Sequence, residues 1–318
     1  MKILVTGAAG FIGSHLTEKI LENPENEVIG IDCLIGPTPG KLKTLNLQTL
    51  KHQSRFTFHQ ENLLDLNLTD LLQGVDVVFH LAAIPGVRSS WGCEFEPYVF
   101  NNILATQRLL EACIGSSVKK FVFASTSSVY GDKSGQVSED MELTPLSPYG
   151  ATKLTGETMC KLYRENFGLP LVVLRYFTVY GPRQRPDMAF HRFIKQIILG
   201  ETLTIFGDGN QTRDFTYIDD CILGTTAVLE AENVLGETIN IGGNEQASIL
   251  EIIAMLENIS NKKAKISFQQ KVKGEPRQTW ANIEKAKNLL SYSPRISLYE
   301  GLQKEFLFLS SVYKEGDL

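Results

Sequence analysis

The chain has 318 residues, of which 43% are hydrophobic and 21% charged, as in an ordinary soluble globular protein. Its 31 basic and 36 acidic residues give a net charge of −5, which argues against a nucleic-acid-binding surface. No apolar run approaches the roughly 18 residues of a membrane span, and the five cysteines lack CxxC spacing. We therefore expect a cytoplasmic protein with no membrane contact, no disulfide framework and no metal site.

Strand-like and helix-like segments alternate over the first 180 residues. The apolar runs are KILVT, EVIGID, RFTFHQ, VDVVFHLAA, KKFVFAST and LVVLRYF, and helical spacing covers 11–22, 95–114 and 148–167. Such alternation predicts an α/β fold with a Rossmann-type, doubly wound parallel sheet. The shorter elements that follow predict a smaller C-terminal α+β substrate lobe. We expect the sheet domain to cover 1–177 and to be rejoined by 214–242, while the lobe takes most of 178–318.

A glycine-rich turn follows the first strand directly. VTGAAGFIGSHL places Gly7, Gly10 and Gly13 between that strand and a predicted helix. Such a turn lets the backbone approach a pyrophosphate, and the helix N-terminus favours its negative charge. Asp32 ends the second strand, where a carboxylate can accept hydrogen bonds from both hydroxyls of an adenosine ribose. Because that carboxylate would repel a 2′-phosphate, the sequence predicts NAD rather than NADP.

Two residues in SPYGATKLTGE have the spacing of a catalytic pair. Tyr149 and Lys153 lie four apart and therefore share one face of the predicted helix. A lysine ammonium near a phenol stabilises the phenolate and lowers the pKa of the phenol. A phenolate beside a nicotinamide ring can take the proton of a substrate hydroxyl while hydride leaves the same carbon.

The stretch FVFASTSSVYG brings hydroxyl groups to the end of a predicted buried strand. Thr126, Ser127 and Ser128 follow the apolar run at the sheet edge where open α/β sheets bind ligands. No acidic residue stands among them. The alternative for the two serines is that they only cap the end of the strand.

Together these motifs resemble the extended short-chain dehydrogenases/reductases, the NAD-dependent sugar-nucleotide epimerases and dehydratases. The resemblance covers TGAAGFIG, HLAA, STSSVYG, the pair Tyr149 and Lys153, RYFTVYGP and RDFTYIDD. It implies a homodimer and a set of NAD-binding residues: Gly7, Gly10, Phe11, Ile12, Gly13, Asp32, Asn62, Leu63, Leu81, Ala83, Asn101, Tyr149, Lys153 and Tyr176. Many relatives carry aspartate at position 62, so the adenine contact of Asn62 departs from the pattern.

The strand-end loop distinguishes reactions within this family. Similar dehydratases carry an Asp-Glu pair after the threonine, and UDP-glucuronate decarboxylases usually carry a glutamate in the same loop. Ser127 and Ser128 occupy those positions here, which favours reversible oxidation at C4 and epimerisation. FTVYGP followed by RPDMA, and GVRSS with Arg88, resemble UDP-glucuronate 4-epimerases. The alternatives are a neutral-sugar 4-epimerase, a UDP-glucuronate decarboxylase, or a non-catalytic regulator that binds NAD.

The same resemblance assigns the substrate-binding residues. Tyr149 would act as base, tuned by Lys153, while Thr126 binds O4 of the sugar. Hydroxyls of Thr126, Ser127, Ser128 and Thr178 would hold the sugar and its carboxylate. Phe206 would lie near uracil, and the candidate arginines are Arg88, Arg192, Arg213 and Arg277. Arg213 is preferred on its motif and Arg185 ranks lowest, and each arginine has the alternative of a solvated charge.

Overall fold

The structure is a computed structural model that describes residues 1–314. Its strands are β1 (Lys2–Thr6), β2 (Glu27–Ile31), β3 (Phe56–His59), β4 (Val77–His80), β5 (Lys120–Thr126), β6 (Leu171–Tyr176), β7 (Val179–Tyr180), β8 (Thr202–Phe206), β9 (Thr212–Tyr217), β10 (Thr238–Ile241), β11 (Glu245–Ser248) and β12 (Lys265–Gln269). The first six lie within the six predicted runs. These runs are rich in β-branched and aromatic residues, which fit a buried sheet.

Helices lie in all three of the predicted helical regions and also elsewhere in the chain. They are α1 (Phe11–Leu21), α2 (Gly40–Asn46), α3 (Leu68–Leu71), α4 (Glu96–Tyr98), α5 (Ala105–Cys113), α6 (Pro148–Phe167), α7 (Ala189–Leu199), α8 (Ile218–Ala227), α9 (Ile249–Ser260), α10 (Glu284–Leu290) and α11 (Leu298–Lys314). Three 3-10 turns occupy Leu50–His52, Gly92–Phe95 and Ser127–Val129. The helix predicted over 95–114 is not uniform, because the π-helical segment Val99–Leu104 separates α4 from α5.

The central sheet has seven parallel strands in the order β10–β6–β5–β4–β1–β2–β3. The chain leaves β1 toward β2 and β3 and then returns to β4 on the other side, so the strand order reverses beside β1. Alternate residues of β1 pack into different clusters on the two faces, Ile3 and Val5 into one and Leu4 into the other. This arrangement confirms the predicted doubly wound sheet and brings the motif-bearing strand ends to one edge.

The later part of the chain forms smaller sheets. Strands β11, β9 and β7 make one, while β8 and β12 pair in parallel in another. Within the predicted rejoining segment, β10 pairs with β6 and α8 packs against α1. The limits of the two domains stay a prediction. Within residues 1–314, no helix is both long and apolar enough to cross a membrane.

Helix α6 lies unusually close to β5, and this proximity positions the active site. Its N-terminus is capped by Ser147, whose side chain accepts a hydrogen bond from the Gly150 amide at 3.1 Å, and Pro148 follows in the first turn. A Cβ on Gly156 would lie 2.4 Å from Cζ of Phe123 in β5. Glycine at this position therefore allows the helix to pack directly on the strand that ends at Thr126.

Candidate active site

A cleft of about 600 Å³ follows the carboxyl ends of the central strands and reaches β8 and β9. Its wall contains every predicted cofactor residue and all but one of the predicted substrate residues: Gly7, Gly10, Phe11, Ile12, Gly13, Asp32, Asn62, Leu63, Leu81, Ala83, Arg88, Asn101, Thr126, Ser127, Ser128, Tyr149, Lys153, Tyr176, Thr178, Arg192, Phe206 and Arg213. The exception is Arg277, which is exposed outside the cleft and whose amide donates to Asp132 at 2.8 Å. Its neighbours Glu275 and Pro276 line the wall instead.

The glycine turn has the backbone conformation that the sequence predicts. Gly7 has a φ of +74°, and its amide donates to the Ile31 carbonyl at 2.7 Å, which joins the turn to β2. A Cβ on Gly13 would lie only 2.1 Å from the Gly7 carbonyl oxygen. Helix α1 begins at Phe11 with no acidic residue in its first turn, so its N-terminus can attract an anion.

Asp32 lies against this turn and has a partner that the sequence did not indicate. Its carboxylate accepts hydrogen bonds from the amides of Ala9 at 3.2 Å and Leu34 at 2.7 Å. It also forms an ion pair with Lys43, whose Nζ lies 2.8 Å from Oδ1. Lys43 lines the cleft from α2. No motif or periodicity singles it out.

Three of the remaining predicted cofactor residues line the cleft and already have hydrogen-bond partners. The Asn62 side-chain oxygen accepts from the Leu64 amide at 3.0 Å, so part of its acceptor capacity is already used. The Asn101 side chain donates to the Pro97 carbonyl at 2.8 Å. The hydroxyl of Tyr176 lies 2.9 Å from the hydroxyl of Thr225. Tyr176 therefore offers the cleft its ring rather than a free hydroxyl.

Tyr149 and Lys153 line the cleft one turn apart on α6, as their spacing predicts. Lys153 is only 4% exposed, and its ammonium lies over the Phe123 ring, 4.2 Å from the centroid. Glu157, one further turn along, is paired with Arg175 at 2.7 Å. The nearest acid on the helix is therefore already occupied by another cation.

The expected lowering of the phenol pKa by lysine is not found in the chain alone. Burial raises the pKa of Tyr149, opposed by the positive charge of Arg185 and by a hydrogen bond with Thr126. Burial also lowers the pKa of the Lys153 amine to about 8. The reason is desolvation, which disfavours the charged form of both groups in this dry part of the cleft.

The strand-end hydroxyls form a compact turn. The Thr126 hydroxyl oxygen accepts a hydrogen bond from the Ser128 amide at 3.2 Å and lies 3.3 Å from the Ser128 hydroxyl. Thr126 therefore caps the 3-10 turn that presents both serines to the cleft. Among the described residues, the acids that line the cleft are Asp32, Glu61, Asp187 and Glu275, and none is on this strand end.

Arginines gather around one acid in the part of the cleft formed by the lobe. The Nε of Arg88 lies 2.6 Å from Glu275, and an Nη of Arg213 lies 3.8 Å from the same carboxylate. The guanidinium of Arg88 also stacks on Phe206, with its Cζ 4.4 Å from the ring centroid. Arg192 approaches that ring at 5.6 Å. This cluster combines an aromatic surface with cations that suit phosphate oxygens.

Arg185, which the sequence ranked lowest, lines the cleft and influences Tyr149. Its positive charge opposes the rise in the pKa of the Tyr149 phenol. Its guanidinium is paired with Asp187 at 3.0 Å. The adjoining Arg183 has a φ of +69° and pairs with Glu18 of α1 at 2.9 Å. The loop is thus fixed to the helix that follows the glycine turn. A sequence motif alone does not show that Arg185 lines the cleft.

Asn102 connects three parts of the site and was not singled out by the sequence. Its side chain accepts from the Ile84 amide at 2.7 Å and donates to the Ile84 carbonyl at 3.0 Å. It also lies 3.1 Å from the Thr152 hydroxyl on α6. These contacts fix the loop after β4 to the π-helical segment and to α6. The π-helical segment carries both Asn101 and Asn102.

His80 is a buried residue that joins neighbouring elements of the fold. Its Nδ1 lies 2.8 Å from the Thr6 hydroxyl and its Nε2 lies 2.9 Å from the Thr106 hydroxyl. Thr106 donates to the Asn102 carbonyl at 2.7 Å, so it accepts from His80, which assigns the proton to Nε2. Burial, with a smaller contribution from Lys153, lowers the pKa of His80 to about 3. The ring therefore stays neutral and joins β1 and β4 to α5.

Comparison with known proteins finds a matching family and relatives that are similar along nearly the whole chain. Residues 3–242 match the model of the NAD dependent epimerase/dehydratase family. The chain is 62% identical over 314 residues, 99% of each protein, to an uncharacterized UDP-glucose epimerase of Bacillus subtilis. It is 44% identical to a UDP-glucuronate 4-epimerase of Thermodesulfobacterium geofontis, covering 95% of this chain and 94% of that protein.

A solved structure is similar over nearly the whole chain. It is the UDP-glucuronic acid 4-epimerase of Bacillus cereus in complex with UDP-glucuronic acid and NAD. The two share 63% sequence identity and superpose with a TM-score of 0.98, covering 98% of this chain and 100% of that one. The family match spans the glycine turn, helix α6 and the strand-end hydroxyls. The chain belongs to the NAD dependent epimerase/dehydratase family.

Proposed function

We propose that this chain interconverts UDP-glucuronate and UDP-galacturonate by epimerising C4 of the sugar. The observation that carries the proposal is the cluster of Thr126, Ser127 and Ser128, which lines the cleft with Tyr149 at a strand end without an acid. Dehydration and decarboxylation by similar enzymes use acids at these positions. The likeness to a structure solved with UDP-glucuronic acid and NAD supports the same substrate.

The residues of the cleft fit NAD. The glycine turn and the start of α1 suit a pyrophosphate, and Asp32 with Lys43 suits a ribose diol. The buried ammonium of Lys153 suits hydroxyl oxygens at the other end of the cofactor. NAD, when bound, takes up hydride from the sugar carbon and returns it. The protein supplies orientation, proton transfer and exclusion of water.

Tyr149 moves the proton of the reacting hydroxyl. As a phenolate it accepts the proton of the sugar O4, and as a phenol it returns that proton after the sugar has turned. Thr126, which lines the same cleft, positions O4. Because burial raises the pKa of Tyr149, the phenolate depends on positive groups nearby. Arg185 supplies one positive charge, and Lys153 places a second one turn along the same helix.

The hydroxyl turn also explains how the carboxylate is retained. Oxidation at C4 makes the uronate a β-keto acid, which loses carbon dioxide when its carboxylate bond stands perpendicular to the ketone. Ser127, Ser128 and Thr178 offer neutral donors worth about 1 kcal/mol each. Such bonds can restrain the carboxylate and form again after the sugar has rotated. A single fixed ion pair would hold only one of the two sugar orientations.

The sugar can rotate only if the nucleotide stays anchored. Phe206 provides a ring for uracil, and Arg88, Arg192 and Arg213 provide cations for the diphosphate. Glu275 holds Arg88 and Arg213 near one another. Arg277 is not part of this anchor, because its side chain is exposed outside the cleft.

We also expect a cytoplasmic homodimer. Helix α6 carries exposed apolar residues, Leu162 at 50% and Phe167 at 56%, and Phe100 of the adjacent π-helical segment is 43% exposed. A second copy of the chain would cover this face, in keeping with the dimer that the resemblance implies. Sedimentation velocity should give the mass of a dimer, and a monomer at all concentrations would contradict this. Cell fractionation should place the protein in the cytoplasmic fraction.

The function is tested by following UDP-glucuronate and UDP-glucose in parallel reactions by NMR. We expect UDP-galacturonate from the first and little turnover of the second. Tyr149→Phe should lower the rate by about 10²- to 10⁴-fold, with nucleotide-sugar binding kept. Tyr163→Phe is the matched control, since Tyr163 lies on the same helix outside the cleft and bonds Glu111.

Other products would identify the alternatives. Turnover of UDP-glucose alone would mean a neutral-sugar epimerase. A UDP-pentose with carbon dioxide would mean a decarboxylase. Bound NAD without turnover of either sugar nucleotide would leave a regulator that binds the cofactor.

A further inference from the structure

The cofactor half of the cleft contains a buried ion pair where the sequence indicated a single acid. The Lys43 ammonium lies 2.8 Å from Oδ1 of Asp32, and their side chains are 11% and 4% exposed. Both residues line the cleft. The wall at this point therefore combines an anion with a cation, and the two charges largely neutralise each other.

Lys43 is held in place by the packing of its helix. Asn46, one turn further along α2, donates to the Ala9 carbonyl in the glycine turn at 3.0 Å. Leu47 directly after the helix is 1% exposed, and Lys43 itself is 9% exposed. The ammonium is therefore fixed beside the glycine turn rather than mobile on the surface.

The hydrogen bonds leave free capacity on both partners. Oδ1 of Asp32 accepts from Leu34 and Lys43, whereas Oδ2 accepts only from Ala9 among the described residues. A carboxylate offers about four acceptor positions and an ammonium three donors. One wall of the cleft thus presents an acceptor next to donors. A ribose diol, in which each hydroxyl both donates and accepts, matches this arrangement.

We infer that Lys43 is a specificity-determining residue for the cofactor, and that Asp32 suppresses a 2′-phosphate site which Lys43 would otherwise form. With Asp32 present, the Lys43 ammonium is paired with the Asp32 carboxylate. A phosphate on the ribose would be repelled by that carboxylate. Without the carboxylate, a fixed and desolvated cation would face the same position. Glu61 is the other acid that lines this end, and it is about half exposed, so solvent screens its charge.

The test measures binding of NAD and NADP to nucleotide-free protein by isothermal titration calorimetry, with no sugar nucleotide present. The wild type should prefer NAD. Asp32→Asn should shift the ratio of the two dissociation constants toward NADP by about tenfold or more. Asp32→Asn/Lys43→Met should lose that shift, because the cation is gone. Lys43→Met alone should weaken NAD without any gain for NADP.

The comparison between the single and double variants decides the outcome. Equal NADP affinity of Asp32→Asn and Asp32→Asn/Lys43→Met would overturn the inference, as would a wild type that binds both dinucleotides equally. Circular dichroism checks that each variant folds, and Asp32→Ser replaces Asp32→Asn if the latter does not. Since the readout is dinucleotide binding, the result is independent of which sugar the enzyme uses.

Discussion

Lys153 shows how a single residue can favour the reaction at the expense of folding. Its ammonium is buried over Phe123, and burial lowers the pKa of the amine to about 8. In the unfolded chain the same amine keeps its proton to about pH 10. Folding near neutral pH therefore carries a charge out of water into a dry site. We propose that the site keeps this unfavourable charge because the reaction needs a positive group beside the reacting hydroxyl.

Replacing this amine should stabilise the NAD-free chain while it removes activity. Lys153→Met should raise the free energy of unfolding at pH 7 by at most about 3 kcal/mol. The difference should shrink between pH 8 and 10, where the folded wild type loses its proton and the unfolded chain does not. Urea unfolding at several pH values measures both effects. Lys161→Met is the control, since Lys161 is exposed on the same helix, and a less stable Lys153→Met protein at pH 7 would contradict the account.

The residues that sequence analysis found are those with local motifs. Gly7, Tyr149 and Thr126 each stand at a fixed place relative to a strand or helix end, so their positions in the cleft could be predicted. Lys43 and Arg185 could not be placed in this way. The positions of their side chains depend on long-range contacts. Lys43 pairs with Asp32, and the loop that carries Arg185 is held by the ion pair between Arg183 and Glu18. No spacing rule contains that information.

At the scale of elements, we propose that the turn at the end of β5 selects the reaction. Ser127→Ala and Ser128→Ala should each increase carbon dioxide release relative to epimer formation, because each removes a neutral restraint on the carboxylate. The ratio of the two products by NMR measures the effect. Ser138→Ala is a control outside the cleft, where the hydroxyl bonds Asp140. Unchanged ratios in both variants would reduce these serines to caps of the strand.

A buried ion pair joins α6 to β6 behind the catalytic residues. Arg175 binds Glu157 through Nε at 3.0 Å and Nη2 at 2.7 Å, and it also donates to Tyr130 at 2.8 Å. Ser125, next to Thr126, donates to the same carboxylate. This pair therefore ties α6 to the end of β5.

Removing one partner of this ion pair should lower the free energy of unfolding more than replacing both partners. Arg175→Met should destabilise the protein by about 3 to 5 kcal/mol, because Glu157 is left buried without its cation. Arg175→Met/Glu157→Leu should recover part of that loss. Urea unfolding of the two single variants and of the double variant gives the coupling free energy between Arg175 and Glu157. A double variant as unstable as the sum of the singles would contradict the argument, and the exposed pair Glu284 and Lys287 provides a control with little coupling.

The three predicted helical regions were right in extent but not in internal geometry. Apolar spacing gave the bounds of α6 closely, since Ser147 and Pro148 begin it and Gly168 follows it in the left-handed conformation. The π-helical segment Val99–Leu104 was missed, because the side-chain contacts of Asn102 with the backbone of Ile84 accompany it. Such tertiary contacts leave no periodic signal.

For the whole molecule, the parallel sheet was predictable because its strands other than the edge strand β3 are largely buried and apolar. The smaller sheets of the lobe were not, since β7 is only two residues long and β12 is largely exposed. Their pairing depends on contacts such as those of Asp214, which accepts from the amides of Gly243 at 2.6 Å and Ala281 at 2.9 Å. These contacts join segments far apart in the chain.

Glu305 should make the stability of the whole protein depend on pH. It is fully buried on α11, and one oxygen accepts from the Gly181 amide at 2.9 Å. Its other oxygen has no partner among the described residues. Burial raises the pKa of this carboxyl well above its usual range. The folded chain therefore keeps the proton that the unfolded chain loses above about pH 4.5, and stability falls as the pH rises.

Glu305→Gln should remove this dependence. The variant should match the wild type near pH 4.5 and become the more stable protein as the pH rises toward 8. Thermal unfolding across that range measures the effect, and Glu300→Gln is the control, since Glu300 is half-exposed on the same helix and paired with Lys304. A constant difference between Glu305→Gln and wild type at all pH values would contradict the assignment of a neutral buried acid.

The central claim is that the cleft oxidises a uronate at C4 and keeps its carboxylate. The most direct measurement uses UDP-glucuronate labelled with ¹³C at the carboxyl carbon and follows the label by NMR until equilibrium. We expect the label to move into the carboxylate of UDP-galacturonate, with little in bicarbonate. Label released mainly as carbon dioxide and bicarbonate, or label that stays in UDP-glucuronate while UDP-glucose is turned over, would contradict it.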